Sequence, residues 1–187
     1  LTVAISGDGG DELFGGYNRY FWGPRVWNRM AWLPSFVRHR LARSITCIPP
    51  STWDALCGPL SIAHVGQKAH KLAARLEYVE NSDDLYRSLV CQWQYPENMI
   101  YGHSVNGTNH DSVIHQSLPS CLGNDPIARM MAWDAMGYLP DDILVKVDRA
   151  SMCVGLETRS PFLDDSVAAI AWRLPMSMKI RSRTSKW

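Results

Sequence analysis

The stretch that most constrains this chain is AISGDGGDELFGGY, residues 4–17, where an apolar run ends in a bend built from glycines and carboxylates. Leu1 to Ile5 is short, apolar and β-branched, as a buried strand would be, while helix formers and aromatics take over from Glu12. The pattern predicts strand, loop, helix. Gly7, Gly9 and Gly10 carry no Cβ, so the backbone there can bend tightly or approach a ligand closely. The amides opening the helix would lack intrahelical partners and attract anions. Asp8 and Asp11 would repel a bare phosphate, whereas a hard cation shared between carboxylate and phosphate oxygens balances the charge. Magnesium-pyrophosphate fits that balance best.

Other glycine-rich loops fit less well. A dinucleotide fingerprint starting at Gly7 needs glycine where Glu12 stands, and the lysine of a P-loop is missing. The calcium-binding β-roll shares the order of residues in GGDELFGG, but it needs tandem copies, and no nine-residue period occurs. A plainer alternative is that Asp11 caps the helix that follows, worth about 1 kcal/mol.

Composition bounds the rest. With 187 residues and 46% hydrophobic content, the chain can bury a core. A net charge of +1 supplies no general field for nucleic acid or acidic lipid, and no transmembrane segment is expected. No acid falls between Glu12 and Asp54, an interval in which Arg19, Arg25, Arg29, Arg38, Arg40 and Arg43 alternate with Trp22, Trp27 and Trp32. Arginines snorkelling from partly buried helices explain that pattern better than a membrane-surface or nucleic-acid helix. Cys47, Cys57, Cys91, Cys121 and Cys153 form no C-x-x-C pair, and no signal-like segment appears, which points to a reducing cytoplasm. His103, His110 and His115 lack the company of a zinc motif and read as solvated loop residues. The chain opens on Leu1, inside a strand-like run, and MSMKIRSRTSKW closes it without a capping element, so a fragment of a longer protein is expected.

Downstream, the pattern predicts a helix over 11–22, a break at Gly23-Pro24, and short helices before IPPS at 48–51. Further helices are expected over 67–79 and 82–93, followed by an irregular insertion over 95–124. A helix over 126–136, a turn at YLPDD and a helix over 143–153 complete the pass, with Asp142 as the cap of the last. That helix would leave Lys146, Asp148 and Arg149 on a polar face, and Gly155 would end it. Glu157 and Arg159 stand two apart on an extended stretch, so they share a face and either pair or meet a ligand. Pro161 disfavours helix at Ser160.

Two stretches, SGDGGDELFGGY and YLPDDILVKVDRASMCVGLETRSPFLD, closely resemble the synthetase domain of glutamine-dependent asparagine synthetases, including relatives in polysaccharide and secondary-metabolite clusters. The resemblance implies an α/β fold, an N-type ATP pyrophosphatase (adenine nucleotide α hydrolase-like) domain with a parallel sheet, of which this portion is mostly helical. Residues 1–187 would form part of that domain, its pyrophosphate loop lying upstream and its end downstream. The implied chemistry uses ATP and Mg2+ to activate a carboxylate, aspartate or a related one, as acyl-AMP. Ammonia from a glutaminase domain then displaces AMP. A cytoplasmic enzyme, homodimeric in its full-length form, is implied, with the isolated fragment inactive.

Carried over by position, Ser6 and Gly7 would contact the adenylate, with Gly9 and Gly10 completing the loop. Asp11 would hold magnesium with pyrophosphate. Asp8 and Glu12 would be catalytic, although many members have glutamate at the Asp8 position, one methylene longer. Lys146, Asp148, Arg149, Glu157 and Arg159 would support the site. The rival readings are amidation of a polysaccharide or secondary-metabolite carboxylate, a β-lactam-forming relative with tyrosine in place of Asp8, and a calcium-binding or membrane-surface module.

Overall fold

The strand-loop-helix opening forms as its sequence predicts, except that the strand is not buried: Val3 and Ile5 are exposed. The structure, a computed structural model, describes residues 2–57, 64–91, 118–119, 122–181 and 184–185. Two compact units divide the chain, one made of residues 1–22 with 97–187 and the other of residues 23–96.

In the first unit, β1 (Val3–Ile5) pairs in parallel with β2 (Glu157–Arg159), Val3 opposite Glu157 and Ile5 opposite Arg159. Parallel neighbours require a long crossover, and the intervening chain supplies it. A small parallel sheet in a mostly helical chain is consistent with an α/β class. After β1 come α1 (Gly10–Phe14) and α2 (Asn18–Met30), separated at Gly15, whose φ of 68° only glycine adopts readily. The single helix expected over 11–22 is thus two, broken at Gly15-Gly16. Leu13, Tyr20, Met130, Met131, Trp133, Leu139 and Ala171 make the buried interior of this unit.

α7 (Pro126–Trp133) begins with Pro126 at its first position and Asp125 as its cap, accepting from the Ile127 amide at 2.9 Å. The helix does not turn at YLPDD. It widens into a π-helical stretch, Asp134–Leu144, and narrows again into α8 (Val145–Met152). In an α-helix the Pro140 ring would collide with the carbonyl four residues earlier, and the wider π turn gives the proline room without ending the helix. Asp142 consequently lies inside the helical run, where it pairs with Lys146 at 3.2 Å instead of capping. Gly155, with φ of 67°, follows the end of α8, and the Leu156 amide returns to the Ser151 carbonyl at 3.0 Å. A 3₁₀ turn (Pro161–Leu163) leads to α9 (Asp165–Arg173), capped by Asp164, then α10 (Met176–Lys179) and the antiparallel pair β3 (Ile180–Arg181) and β4 (Thr184–Ser185).

The second unit contains α3 (Ser35–Thr46), α4 (Pro50–Cys57), α5 (Val65–Tyr78) and α6 (Ser82–Val90). Met30, Ala42, Ala73, Leu76, Val79 and Leu85 form its core, with Val26, Trp27, Ile45 and Leu89 packed alongside. This explains why Gly23-Pro24 does not break α2. An internal proline costs about 3 kcal/mol, but burying side chains such as Met30, Val26 and Trp27 returns up to about 2 kcal/mol each. Within IPPS, before which the sequence pattern predicts the short helices to end, Pro50 starts α4 by taking its first helical position. Asn81 caps α6 by accepting from the Asp83 and Asp84 amides, both at 2.9 Å.

The arginine-tryptophan interval separates into buried and exposed members. Arg38 is buried, donating to the Val79 carbonyl beside Trp27, whereas Arg25, Arg29, Arg40 and Arg43 are exposed, as are Trp22 and Trp32. Cys47, Cys91 and Cys153 are exposed thiols. The histidines at 103, 110 and 115, and most of the insertion over 95–124, lie outside the described residues. Among the described residues no helix is long and apolar enough to cross a membrane.

α4 and α5 approach so closely that a Cβ on Gly66 would lie 2.0 Å from the Pro50 carbonyl oxygen. Backbone cannot step aside as a side chain can. Gly66→Ala is therefore predicted to destabilise the protein by about 2 kcal/mol or more through overpacking, although alanine in an open helix interior would stabilise by about 1 kcal/mol. Urea or thermal unfolding reads the sign directly.

Candidate active site

The candidate site is assembled where β1 ends. The Ser6 amide donates to the Arg159 carbonyl at 2.9 Å, carrying the pairing one residue past the strand. The Ser6 hydroxyl donates to Asp8 Oδ2 at 2.8 Å and lies 2.5 Å from the Ser160 hydroxyl. The chain then turns through Gly9, at φ of 86°, and the Gly10 amide closes the bend on the Gly7 carbonyl at 3.2 Å. A Cβ on Gly9 would stand 2.5 Å from Leu163 Cδ2, and one on Gly10 would stand 3.3 Å from the Phe162 ring. Gly9 is thus required by its φ, whereas the Leu163 side-chain end against it can turn away. Gly7 differs: it is exposed, with nothing within 4 Å of its missing Cβ.

Asp11 is not the helix cap. Gly9 takes that position, without a side-chain bond, and Asp11 lies half-buried in the first turn. α1 is only five residues long, so its few aligned peptide dipoles attract an anion less than the predicted longer helix would.

Glu12 turns inward. It is 1% exposed and accepts a 2.7 Å hydrogen bond from the Tyr17 hydroxyl. Burial raises its carboxyl above the ordinary range; the Tyr17 bond and a backbone bond oppose the rise, and Asp11 and Asp134 add to it. Beside it lies a second buried acid, Asp134, which accepts from Arg19 Nε at 2.9 Å and from the Tyr20 hydroxyl at 2.5 Å, and whose other oxygen forms an ion pair with Arg19 Nη2 at 2.7 Å. The Arg19 guanidinium stacks 4.0 Å from the Tyr17 ring centre and 5.0 Å from that of Tyr138. Burial, together with the facing carboxylates, pushes the Tyr17 and Tyr20 hydroxyls well above the ordinary phenol range, so both stay donors.

Sequence reasoning passed over Tyr17, Tyr20, Asp134 and Ser160, and it counted Arg19 among the snorkelling arginines. A lone acid inside the apolar run ARMMAWDAM was the available signal, because an aspartate at such a position needs a cationic or hydroxyl partner.

The remaining predicted residues divide into two sets. Glu157 and Arg159 pair across their shared strand face at 2.8 Å, next to the loop but exposed. Lys146 is held by Asp142, and Asp148 and Arg149 are exposed on α8; among the described residues no hydrogen bond or ion pair joins these three to the loop. The described residues also contain no group of three or more His, Cys, Asp or Glu side chains able to hold a metal alone. A cation at Asp8 or Asp11 would need oxygens from the substrate or from water, which is how magnesium usually binds phosphate compounds.

The profile of the asparagine synthase family matches the whole chain, residues 1–187. The chain belongs to the asparagine synthase family. A provisional glutamine-hydrolyzing asparagine synthetase of Mycobacterium tuberculosis is 32% identical over 187 residues, all of this chain and 26% of that protein, and its counterpart in Mycobacterium bovis matches equally. Asparagine synthetase (glutamine-hydrolyzing) 1 of Bacillus subtilis is 28% identical over 195 aligned residues, all of this chain and 27% of that protein. The chain thus spans about a quarter of the length of the curated relatives it matches. No solved structure matches it significantly.

The buried Glu12 predicts a pH signature. Its carboxyl is raised in the folded state, so its contribution to stability is fully present below the unfolded value near 4.5 and is lost as pH rises through the folded value. Glutamine keeps an acceptor for Tyr17 but does not titrate. Relative to the parent, Glu12→Gln should therefore gain stability as pH rises above about 4.5 and level off once the folded carboxyl has ionised, read as the difference in urea midpoints; a constant difference would mean that Glu12 is solvated.

Proposed function

We propose that this chain carries part of the adenylating site of an ATP-dependent, glutamine-hydrolysing ligase of the asparagine synthase type, within an N-type ATP pyrophosphatase fold. The observation that carries the reading is that the loop Ser6–Glu12 and the segment Glu157–Leu163 meet at the end of one parallel strand pair. The end of a parallel sheet is where α/β folds commonly bind nucleotides. In this reading a substrate carboxylate, aspartate or a related one, attacks the α-phosphorus of ATP; pyrophosphate leaves and acyl-AMP remains. Ammonia from a glutaminase domain then attacks the acyl carbon, and AMP departs with the former carboxylate oxygen.

The roles of the residues follow from their positions. Exposed Gly7 lets the nucleotide lie against the backbone, and the Ser6 hydroxyl orders the carboxylate that follows it. Asp8 accepts the proton that the attacking ammonia loses. Asp11 would hold magnesium, whose charge lowers the cost of the pyrophosphate leaving group. The donor fits: the Asp11 side chain offers hard oxygens, and substrate phosphates and water complete the coordination. Glu12, buried and bonded to Tyr17, acts through the fold beneath the loop.

ATP-pyrophosphate exchange by the complete gene product, with magnesium and aspartate, tests this. Asp11→Asn should lower exchange about 100-fold, the scale on which losing one charge-stabilising group acts. Asp8→Ala should reduce amide formation by a similar factor while exchange stays within about threefold, because it removes a group used after adenylation. Exchange that survives Asp11→Asn would remove the metal role, and absence of exchange in the parent enzyme would remove the reading.

A further inference from the structure

We propose that Ser160 is a positioning residue of this site. Its hydroxyl donates to Ser6, the Ser6 hydroxyl donates to Asp8, and this two-bond relay sets the Asp8 carboxylate at the strand end. Its consequence for the chemistry rests on the function proposed above; the relay itself does not.

Proton bookkeeping fixes the directions. A serine hydroxyl has one proton to give. An ionised carboxylate only accepts, so at 2.8 Å the proton between Ser6 and Asp8 Oδ2 belongs to Ser6. The 2.5 Å contact between Ser6 and Ser160 also needs a donor, and with the Ser6 proton already committed, Ser160 supplies it. Donor chains of this kind polarise one another, so a bond to Ser6 strengthens the bond from Ser6.

The ordinary work of a serine at this place is not done by Ser160. It occupies the cap position before the 3₁₀ turn Pro161–Leu163, where a serine usually bonds back to its own turn. No side-chain cap bond forms there. The hydroxyl instead reaches across 154 residues of chain to Ser6. Three neighbouring contacts hold it in place: the Ser6 amide on the Arg159 carbonyl, the Phe162 ring against Gly10, and Leu163 against Gly9. The segment that clamps the loop's backbone thus also orients the loop's first acid.

The test uses the complete gene product with Ser160→Ala and Ser160→Thr, with crystal structures of the parent and the alanine variant. The relay predicts about a tenfold lower kcat for amide formation in Ser160→Ala, with KM for ATP and for the carboxylate within about twofold, and recovery of most of the rate in Ser160→Thr, which keeps the hydroxyl. It also predicts that Asp8 Oδ2 leaves Ser6 in the alanine structure. Parent-like kcat in Ser160→Ala, or equal loss in both variants, overturns the positioning role, since equal loss would mean packing. An Asp8 carboxylate that stays in place overturns the relay whatever the rates. If the parent makes no amide, the proposed function falls, and the two crystal structures alone decide the relay.

Discussion

Everything at this site depends on three parallel backbone pairings, Val3 with Glu157 through Ile5 with Arg159. A ladder so short is weak by itself, because each hydrogen bond contributes only about 1 kcal/mol net. What makes it hold is the side-chain packing that continues beyond its end. Phe162 stacks edge-on against Phe14 at 5.8 Å, and Leu163 fills the space that Gly9 leaves empty. Backbone pairing sets the register, and apolar packing keeps it. Val3 and Ile5 remain exposed, so the ladder draws little on burial of β1 itself.

Beneath the loop lies a second layer of charge. Asp8 and Asp11 are half-buried on the loop, while Glu12 and Asp134 are buried below it, each bonded to a tyrosine hydroxyl. Arg19 neutralises Asp134 and stacks on Tyr17 and Tyr138, so one cation serves both the electrostatics and the aromatic packing. Buried pairs of this kind add little net stability when intact but cost several kcal/mol when one partner is removed. Their effect is to hold α1, the start of α2 and the π-helical stretch in one arrangement, which fixes where the loop stands.

Local sequence chemistry made some of this legible. The glycines around Asp8, the pairing of Glu157 with Arg159 at a spacing of two, and the stop at Gly155 each follow from rules that act within a few residues. The errors arose where distant contacts decide. Pro24 sits inside a helix because Met30, Val26 and Trp27 pack beyond it, and Pro140 does so because the helix widens around it. Glu12 carries the same carboxylate as its neighbours in the motif, and only the fold reveals that it faces inward. Ser160 carried no local signal at all; its partner is 154 residues away.

The central claim is that this loop serves carboxylate activation by adenylation, and isotope transfer tests it most directly. Aspartate labelled with 18O in its side-chain carboxylate, supplied with ATP, magnesium and ammonia to the complete gene product, should deliver one labelled oxygen to AMP for each amide formed. That oxygen is the one that attacked the α-phosphorus. Label recovered in inorganic phosphate would mean attack at the γ-phosphorus, and amide formation with neither AMP nor phosphate labelled would mean that no acyl phosphate bond was made; either result contradicts the account.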